Sequence, residues 1–512
     1  MAEAASRTAS RAVALLLAAC ALVALSAIGS APQPDRAAAL AASEPSVARP
    51  RRLPRAQTKP AFGEKSADEI AALFRAFQRD HARNYTEAAE AAYRFDVFKR
   101  NLRFIDKLNA QNPLAVFAVN RFADLTEDER ARLRMTNNAT TSWAGLKALL
   151  ARADPGMAAA AERGRGAVEA LAATRRQEPS GGDWFVSDDG GGSQQVEGWK
   201  DGVDFAQGAS TTYEFAQGEV PWVTAEDCAA CHRFPQLGQY SEGNLPADFD
   251  WRALGAVTSV KNQGYCGSCW SFSTAADVEG AFFLKTGELI SLSNQQMVEC
   301  STQNYGCGGG YVWHAMQYVE HVGGLVSYDE LPNKMVDTYD VMSTTTTPTC
   351  DKAAINADVQ SSVETPWNTS SVAAITGFQM VAMGASFEEL MRVALLKNGP
   401  ISITLNANGM DFYHHGVVGC AGLGSGANCS TGAIDNGAPC DPANLDHAVL
   451  LVGYGSQNSS AFDSSLQDEI PYWVVKNSWG TDWGEHGYYR VVRGVNHCGI
   501  ANFALHAAMT AH

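Results

Sequence analysis

From Leu245 to the C-terminus the chain is poor in positive charge, with 10 Lys and Arg against 25 Asp and Glu, a net charge of −15. The first 244 residues are nearly balanced, at 29 against 30. Nucleic acids are gripped mainly through Lys and Arg, so this acidic half argues against a nucleic-acid partner. It fits work in an acidic compartment, where protonation of carboxylates lessens self-repulsion. Long apolar runs are also missing after the N-terminus. The run Ala12–Ile28 follows arginines at 7 and 11 and precedes small residues through Ala31, which outlines a secretory signal peptide over 1–31. It is short and alanine-rich for a membrane anchor, and no later stretch approaches spanning length, so the mature protein is expected to be soluble. What the chain does have is 46% hydrophobic residues over 512 positions, enough for two or three domains.

There are 12 cysteines, and Cys20 would leave with the signal peptide. The remaining 11 are an odd number, which suits several disulfides and one free thiol. Asn-x-Ser/Thr sequons at Asn84, Asn138, Asn368, Asn428 and Asn458 agree with a secretory route.

The organising stretch is Gln263-Gly-Tyr-Cys266-Gly-Ser-Cys269-Trp270-Ser-Phe272-Ser273. Trp270, Phe272, Ala275, Val278 and Phe282 recur at helical spacing, which places Cys269 in a first turn, where free N–H groups favour an anion. A thiol there beside a histidinium can have its pKa lowered to roughly 3.5–7.5, and the thiolate is the nucleophile. The bland alternative is a disulfide cysteine in a Gly-rich turn. These letters resemble the signature around the catalytic cysteine of papain and the cathepsins.

Upstream, residues 67–112 read as helical, opening on a Ser66/Glu69 capping box. Glu90, Arg94, Phe98, Asn101, Ile105 and Asn109 fall on one stripe of this helix. Arg94 can pair with Glu90, and Phe98 and Ile105 offer an apolar face. The six positions resemble the long inhibitory helix of papain-type propeptides. Asn120-Arg-Phe122-Ala-Asp124 resembles their second motif, with Ala118 where the family usually has glycine. This places an inhibitory propeptide domain over 61–140.

Residues 141–244 read as a low-complexity linker, with Gly-Gly runs and two Phe-Ala-Gln-Gly copies at Phe205 and Phe215. Within it, Cys228-Ala-Ala-Cys231-His232 has the minimal c-type haem attachment pattern, and equally suits a local disulfide or a loose metal site.

From Leu245 onward the chain resembles a papain-like catalytic domain, assigned here to 245–512. The resemblance implies an α+β, papain-like two-domain fold: a helical left domain carrying the cysteine and a β-barrel-like right domain carrying histidine and asparagine, preceded by the helical propeptide domain. His447 opens a strand of branched residues, and Asn477 lies in Lys-Asn-Ser-Trp479-Gly. By resemblance His447 is the base, Asn477 holds its imidazole in the useful tautomer, Trp479 shields that bond, and Gln263 helps to bind the oxyanion. His447 and Asn477 lie 178 and 208 residues after Cys269, beyond the family's usual spacing of about 130–150. Polar insertions at 342–367, 420–440 and 456–469 account for the excess, and long surface loops cost little closure entropy.

The family's pairing implies disulfides Cys266–Cys307, Cys300–Cys350 and Cys440–Cys498, with Cys420 and Cys429 closing an inserted loop. Gly309 and Gly310 would offer backbone groups to an extended peptide. Tyr311, Val312, Thr404, Leu445 and Ala448 would wall the pocket for the residue two before the scissile bond, with Phe503 at its far end.

The implied protein is a cathepsin L-like cysteine endopeptidase made as a zymogen, without metal or cofactor. It would be held latent by its own propeptide, with carboxylates across the two parts as the acid trigger. Its expected partners are protein and peptide substrates and cystatin-like inhibitors, in a lysosome- or vacuole-like compartment or outside the cell. The rival readings are a non-catalytic binding protein on the same scaffold and a haem-tethered protein.

Overall fold

The computed structural model describes residues 59–134, 228–234, 237, 244–334, 350, 372–419, 440–458 and 469–509. The expected signal peptide, most of the linker and most of the three insertions lie outside these residues.

The expected long N-terminal helix is two helices, α1 (Ala67–Asp80) and α2 (Ala88–Gln111). The break comes at Ala82, whose φ of 50° is left-handed, and it has a packing reason. Turning back lets Tyr85 stack on Phe74, at 6.0 Å between ring centroids, and lets Phe74 and Phe77 meet Phe98, each at 5.2 Å. The Ser66 capping box starts α1 as the sequence indicated.

The stripe on α2 is buried at Arg94, Phe98, Asn101, Ile105 and Asn109. Its polar members close on the segment that follows. Asn109 exchanges two hydrogen bonds with Phe117. Asn101 donates to the carbonyls of Ala123 and Leu125 and accepts from Arg130. Arg94 makes its two-pronged contact with Glu129, at 2.7 and 2.9 Å, an ion pair the helical spacing did not indicate.

β1 (Ala115–Phe117) then joins the sheet of the C-terminal part, followed by the short α3 (Glu127–Ala131) under a Thr126 capping box. Residue 116 lies opposite 415 on β5 (Tyr413–Val418). This approach needs Gly416, because a Cβ there would lie 2.2 Å from the Leu114 carbonyl.

Beyond 228 come α4 (Ala229–Arg233), β2 (Phe249–Asp250), α5 (Cys269–Thr286), α6 (Asn294–Cys300), α7 (Val312–His321), β3 (Gly377–Ala382), α8 (Leu390–Asn398), β4 (Ile401–Leu405), β6 (His447–Asn458), β7 (Glu469–Lys476), β8 (Tyr488–Val492) and β9 (Ala504–Ala508). The strands run in the order β1-β5-β8-β7-β6-β4-β9-β3, with β2 on β6. Helices α5, α6 and α7 pack together on one side, and the sheet lies on the other. α5 is buried nearly all round, its polar Ser271, Ser273, Thr274, Asp277 and Glu279 included. Asp277 on α5 accepts from the Ser402 and Ala507 amides, and Ser273 donates to the Val449 carbonyl, so the helix is tied to β4, β9 and β6.

Cys228 and Cys231 are bonded to each other, and the short α4, which contains Cys231, packs on α5. That disulfide disfavours the haem-tethered reading, because in this state neither thiol is left to form a thioether. Cys266–Cys307, Cys300–Cys350 and Cys440–Cys498 are also bonded. Cys420 and Cys429 fall outside the described residues. Of the five sequons, Asn84 and Asn458 are described, and both are exposed. No described helix is long and apolar enough to cross a membrane.

Candidate active site

Cys269 is the first residue of α5 and is not disulfide-bonded. It is buried in one apolar cluster with Leu445 and Ala448, which flank His447 at the start of β6. His447 Nε2 and Asn477 Oδ1 are 2.8 Å apart, and the Ser478 amide donates to the same oxygen at 2.8 Å. An oxygen already accepting one N–H leaves Nε2 as the second donor, so the proton of a neutral imidazole sits there and Nδ1 keeps its lone pair. Nδ1 is buried and makes no hydrogen bond among the described residues. Trp479 lies against the imidazole, with centroids 4.8 Å apart and planes at 29°. Burial pushes His447 down to about 4, the Asn477 bond opposing this and the nearby Arg134 charge adding to it.

Gln263 belongs to the same construction. Its side-chain oxygen accepts from Ser478 Oγ at 2.6 Å, and its backbone N–H donates to the Ser478 carbonyl at 2.8 Å. Gly480 N and Lys261 O extend this pairing by one more bond. The Gln263 amide nitrogen is thereby aimed at two carbonyls, Cys266 at 2.8 Å and Leu133 at 2.7 Å. Leu133 belongs to the part of the chain that follows the N-terminal helices. Residues 126–134, the strap, therefore cross this corner of the site. A Cβ on Gly267 would lie 3.0 Å from the Arg134 carbonyl and 2.7 Å from that of Cys307, which requires glycine at 267.

The strap is anchored by charge. Arg130 Nε is 3.2 Å from Asp411 Oδ2, Arg134 Nη1 is 3.2 Å from Asp446 Oδ2, and both arginines also pair with Glu127 of the strap. Burial pushes Asp411 up, the strap arginines opposing it, and pushes Asp446 up to about 6 against the Arg134 charge. Ahead of the strap, Phe122 meets Trp479 edge-on at 5.4 Å, and Asn120 donates to the Asp411 carbonyl. Asp411, Asp446 and Arg134 went unnoticed in the sequence, where isolated charged letters carry no pattern.

Val312, Leu445, Ala448 and Phe503 share one buried apolar cluster, with Tyr311 packed against it. Thr404 donates to the Phe503 carbonyl through both its amide and its hydroxyl. Phe503 is buried edge-on against Trp313, at 5.4 Å between centroids. Gly309 has a φ of 113° and its carbonyl accepts from Tyr305. A Cβ on Gly310 would lie 2.8 Å from the Trp270 ring, so packing already demands glycine there.

Comparison with known proteins agrees with this geometry. Residues 245–508 match the papain family cysteine protease model, and residues 74–129 match the cathepsin propeptide inhibitor domain. Cathepsin F of Drosophila melanogaster is 39% identical over 267 residues, 52% of this chain and 36% of that protein. Cathepsin K of Mus musculus is 35% identical over 308 residues, 57% of this chain and 78% of that protein. The structure of digestive procathepsin L 3 from Tenebrio molitor larval midgut is similar at a TM-score of 0.50 and 25% identity, covering 87% of this chain and all of that one. A buried cysteine opening a helix, an asparagine-held histidine and an inhibitor-type domain laid against them are thus joined to a family match over half of the sequence: the chain belongs to the papain family of cysteine proteases and carries a cathepsin propeptide inhibitor domain.

Proposed function

We propose that the protein is a cysteine endopeptidase of the secretory pathway, delivered to an acidic lysosome-like compartment or outside the cell and made as a zymogen. The observation that carries this is the position of Gln263, whose side-chain oxygen is held by Ser478 and whose side-chain nitrogen is occupied by a propeptide carbonyl. A carbonyl on that donor marks where a substrate carbonyl would lie. Cys269 is the nucleophile: its thiol proton passes to His447 Nδ1, giving the imidazolium and a thiolate favoured by the helix N-terminus. It attacks the scissile carbonyl. The oxyanion is held by the Gln263 side chain and the Cys269 N–H, and losing one such donor costs about 2.7–4 kcal/mol. Imidazolium at His447 protonates the leaving amine, and neutral His447 then activates the water that hydrolyses the acyl-enzyme.

Retention of Gln263, Cys269, His447 and Asn477 disfavours the non-catalytic binding reading. Cys269→Ala is expected to abolish peptide hydrolysis while the four described disulfides still form. Substantial turnover by that variant would remove the proposal. Labelling of acid-treated protein by an epoxide warhead, mapped to its peptide, tests the same thiol directly.

Selectivity follows from the apolar cluster around Phe503. A buried ring there leaves a shallow pocket, and an unpaired substrate guanidinium within it would cost several kcal/mol, whereas a methylene changes binding by about 1–3 kcal/mol. Leucine and valine two residues before the scissile bond are expected to be preferred over phenylalanine, with arginine poorest. Phe503→Ala should raise the phenylalanine-to-valine ratio of kcat/KM in a fluorogenic peptide library, and an unchanged ratio would place Phe503 outside the pocket. Cystatin-like inhibitors are proposed partners of the same cleft, by family resemblance.

A further inference from the structure

We propose that Asp411 and Asp446 form a cation site for the first substrate residue after the scissile bond, filled in the zymogen by the guanidinium of Arg134. This rests on the endopeptidase reading above. Arg134 is buried, with Nη1 3.2 Å from Asp446, and Asp411, Asp446 and Glu127 are the negative charges acting on it. Arg130 takes one oxygen of Asp411 at 3.2 Å. The other oxygen, Oδ1, is buried and makes no hydrogen bond among the described residues. Among those residues, neither carboxylate is ion-paired with a Lys or Arg from beyond the propeptide. Release of the strap therefore removes both cations together and leaves two neighbouring carboxylates beside the reacting centre.

The side of the cleft follows from the chemistry. His447 must protonate the leaving amine, so the residue that carries this amine lies against His447. Asp446 is the residue immediately before His447. The Leu133 carbonyl on Gln263 marks the reacting position; the Arg134 backbone lies by Gly267, and its guanidinium reaches across to Asp446, so that head group and not the chain direction of the strap marks the site. A substrate arginine or lysine placed there would restore the ion pair with a charge-assisted contact that neutral side chains cannot make. A site built to bind such a group rejects analogues lacking it more strongly than an apolar pocket rejects a change of size.

The test uses acid-processed enzyme and internally quenched peptides identical except for arginine, leucine or glutamate as the first residue after the cleaved bond. Arginine is expected to exceed leucine in kcat/KM by about tenfold, with glutamate slowest. Asp411→Asn and Asp446→Asn should each lower the arginine-to-leucine ratio. Should either variant fail to fold, the wild-type ratios still decide. Equal rates for arginine and leucine overturn the cation site and leave the endopeptidase reading intact. Hydrolysis of none of the three overturns that reading and the cation site with it. A fourth peptide carries the arginine two residues further along. An equal gain from this peptide would assign the effect to the overall acidic charge and likewise overturn the site.

Discussion

The two halves of the propeptide are held by different physics. Residues 67–125 form a module with its own core: Phe74, Phe77 and Phe98 are buried, and Asn101 and Asn109 bind the backbone of the same module. The strap at 126–134 has little core of its own and reaches the catalytic domain through Arg130, Arg134 and the Leu133 carbonyl. The first half folds so that the second can be delivered. Aromatic burial is insensitive to pH, whereas the carboxylates and the imidazole that face the strap are not, so a pH response of docking sits in the second half.

Phe98→Ala should have the largest effect, since deleting a fully buried ring costs about 3–5 kcal/mol. In a Cys269→Ala background, hydrogen exchange of α1 and α2 should rise sharply while α5 and β6 stay protected. Equal loosening of all four would erase the distinction between the halves.

Arg134→Ala sharpens the comparison from the other end. The strap can lift away, so the cost is capped by local opening. Labelling of Cys269 by an epoxide warhead at neutral pH should accelerate about tenfold, equivalent to about 1.4 kcal/mol, with exchange in α1 and α2 unchanged.

The smallest effect is the finest test of the pH argument. The sequence suggested that protonating carboxylates across the two parts would loosen the clamp. At Asp446, raised to about 6, and at Asp411, also raised, burial is opposed by the strap arginines, so release of those cations and gain of solvent act in opposite directions there. At His447 burial and the Arg134 charge act in the same direction. Docked, it titrates near 4; in the open state it should return toward about 6.5. Its contribution to docking is whole above about 6.5 and is lost as the pH falls toward 4. His414 and His415, on the strand that receives β1, are also pushed down by burial and add to the acid response. Replacing both with glutamine should lower the midpoint of strap opening by a few tenths of a pH unit. Hydrogen exchange of the strap, corrected for its intrinsic pH dependence, measures this. An unchanged midpoint would restrict the trigger to His447.

Legibility in the sequence followed the range of the interaction. The helical start at Cys269 and the stripe on α2 are local periodicities and could be read directly, and the family's own order of motifs supplied Gln263, His447 and Asn477. The two-helix break at Ala82 could not, because it is decided by Phe74, Tyr85 and Phe98 meeting across a turn. The Arg94–Glu129 and Arg134–Asp446 pairs span 35 and more than 300 residues, and no spacing rule connects such positions.

Asn477 and Ser478 are adjacent in the chain, yet they serve the two chemical halves of the site: one holds the imidazole and the other holds Gln263. A single peptide unit thus holds both the imidazole and the Gln263 side chain, the base and the oxyanion donor of the proposed mechanism. Movement between the cysteine-bearing and histidine-bearing parts cannot spoil one without the other. Thermal inactivation should accordingly be abrupt, with no interval in which the enzyme still acylates but has lost deacylation.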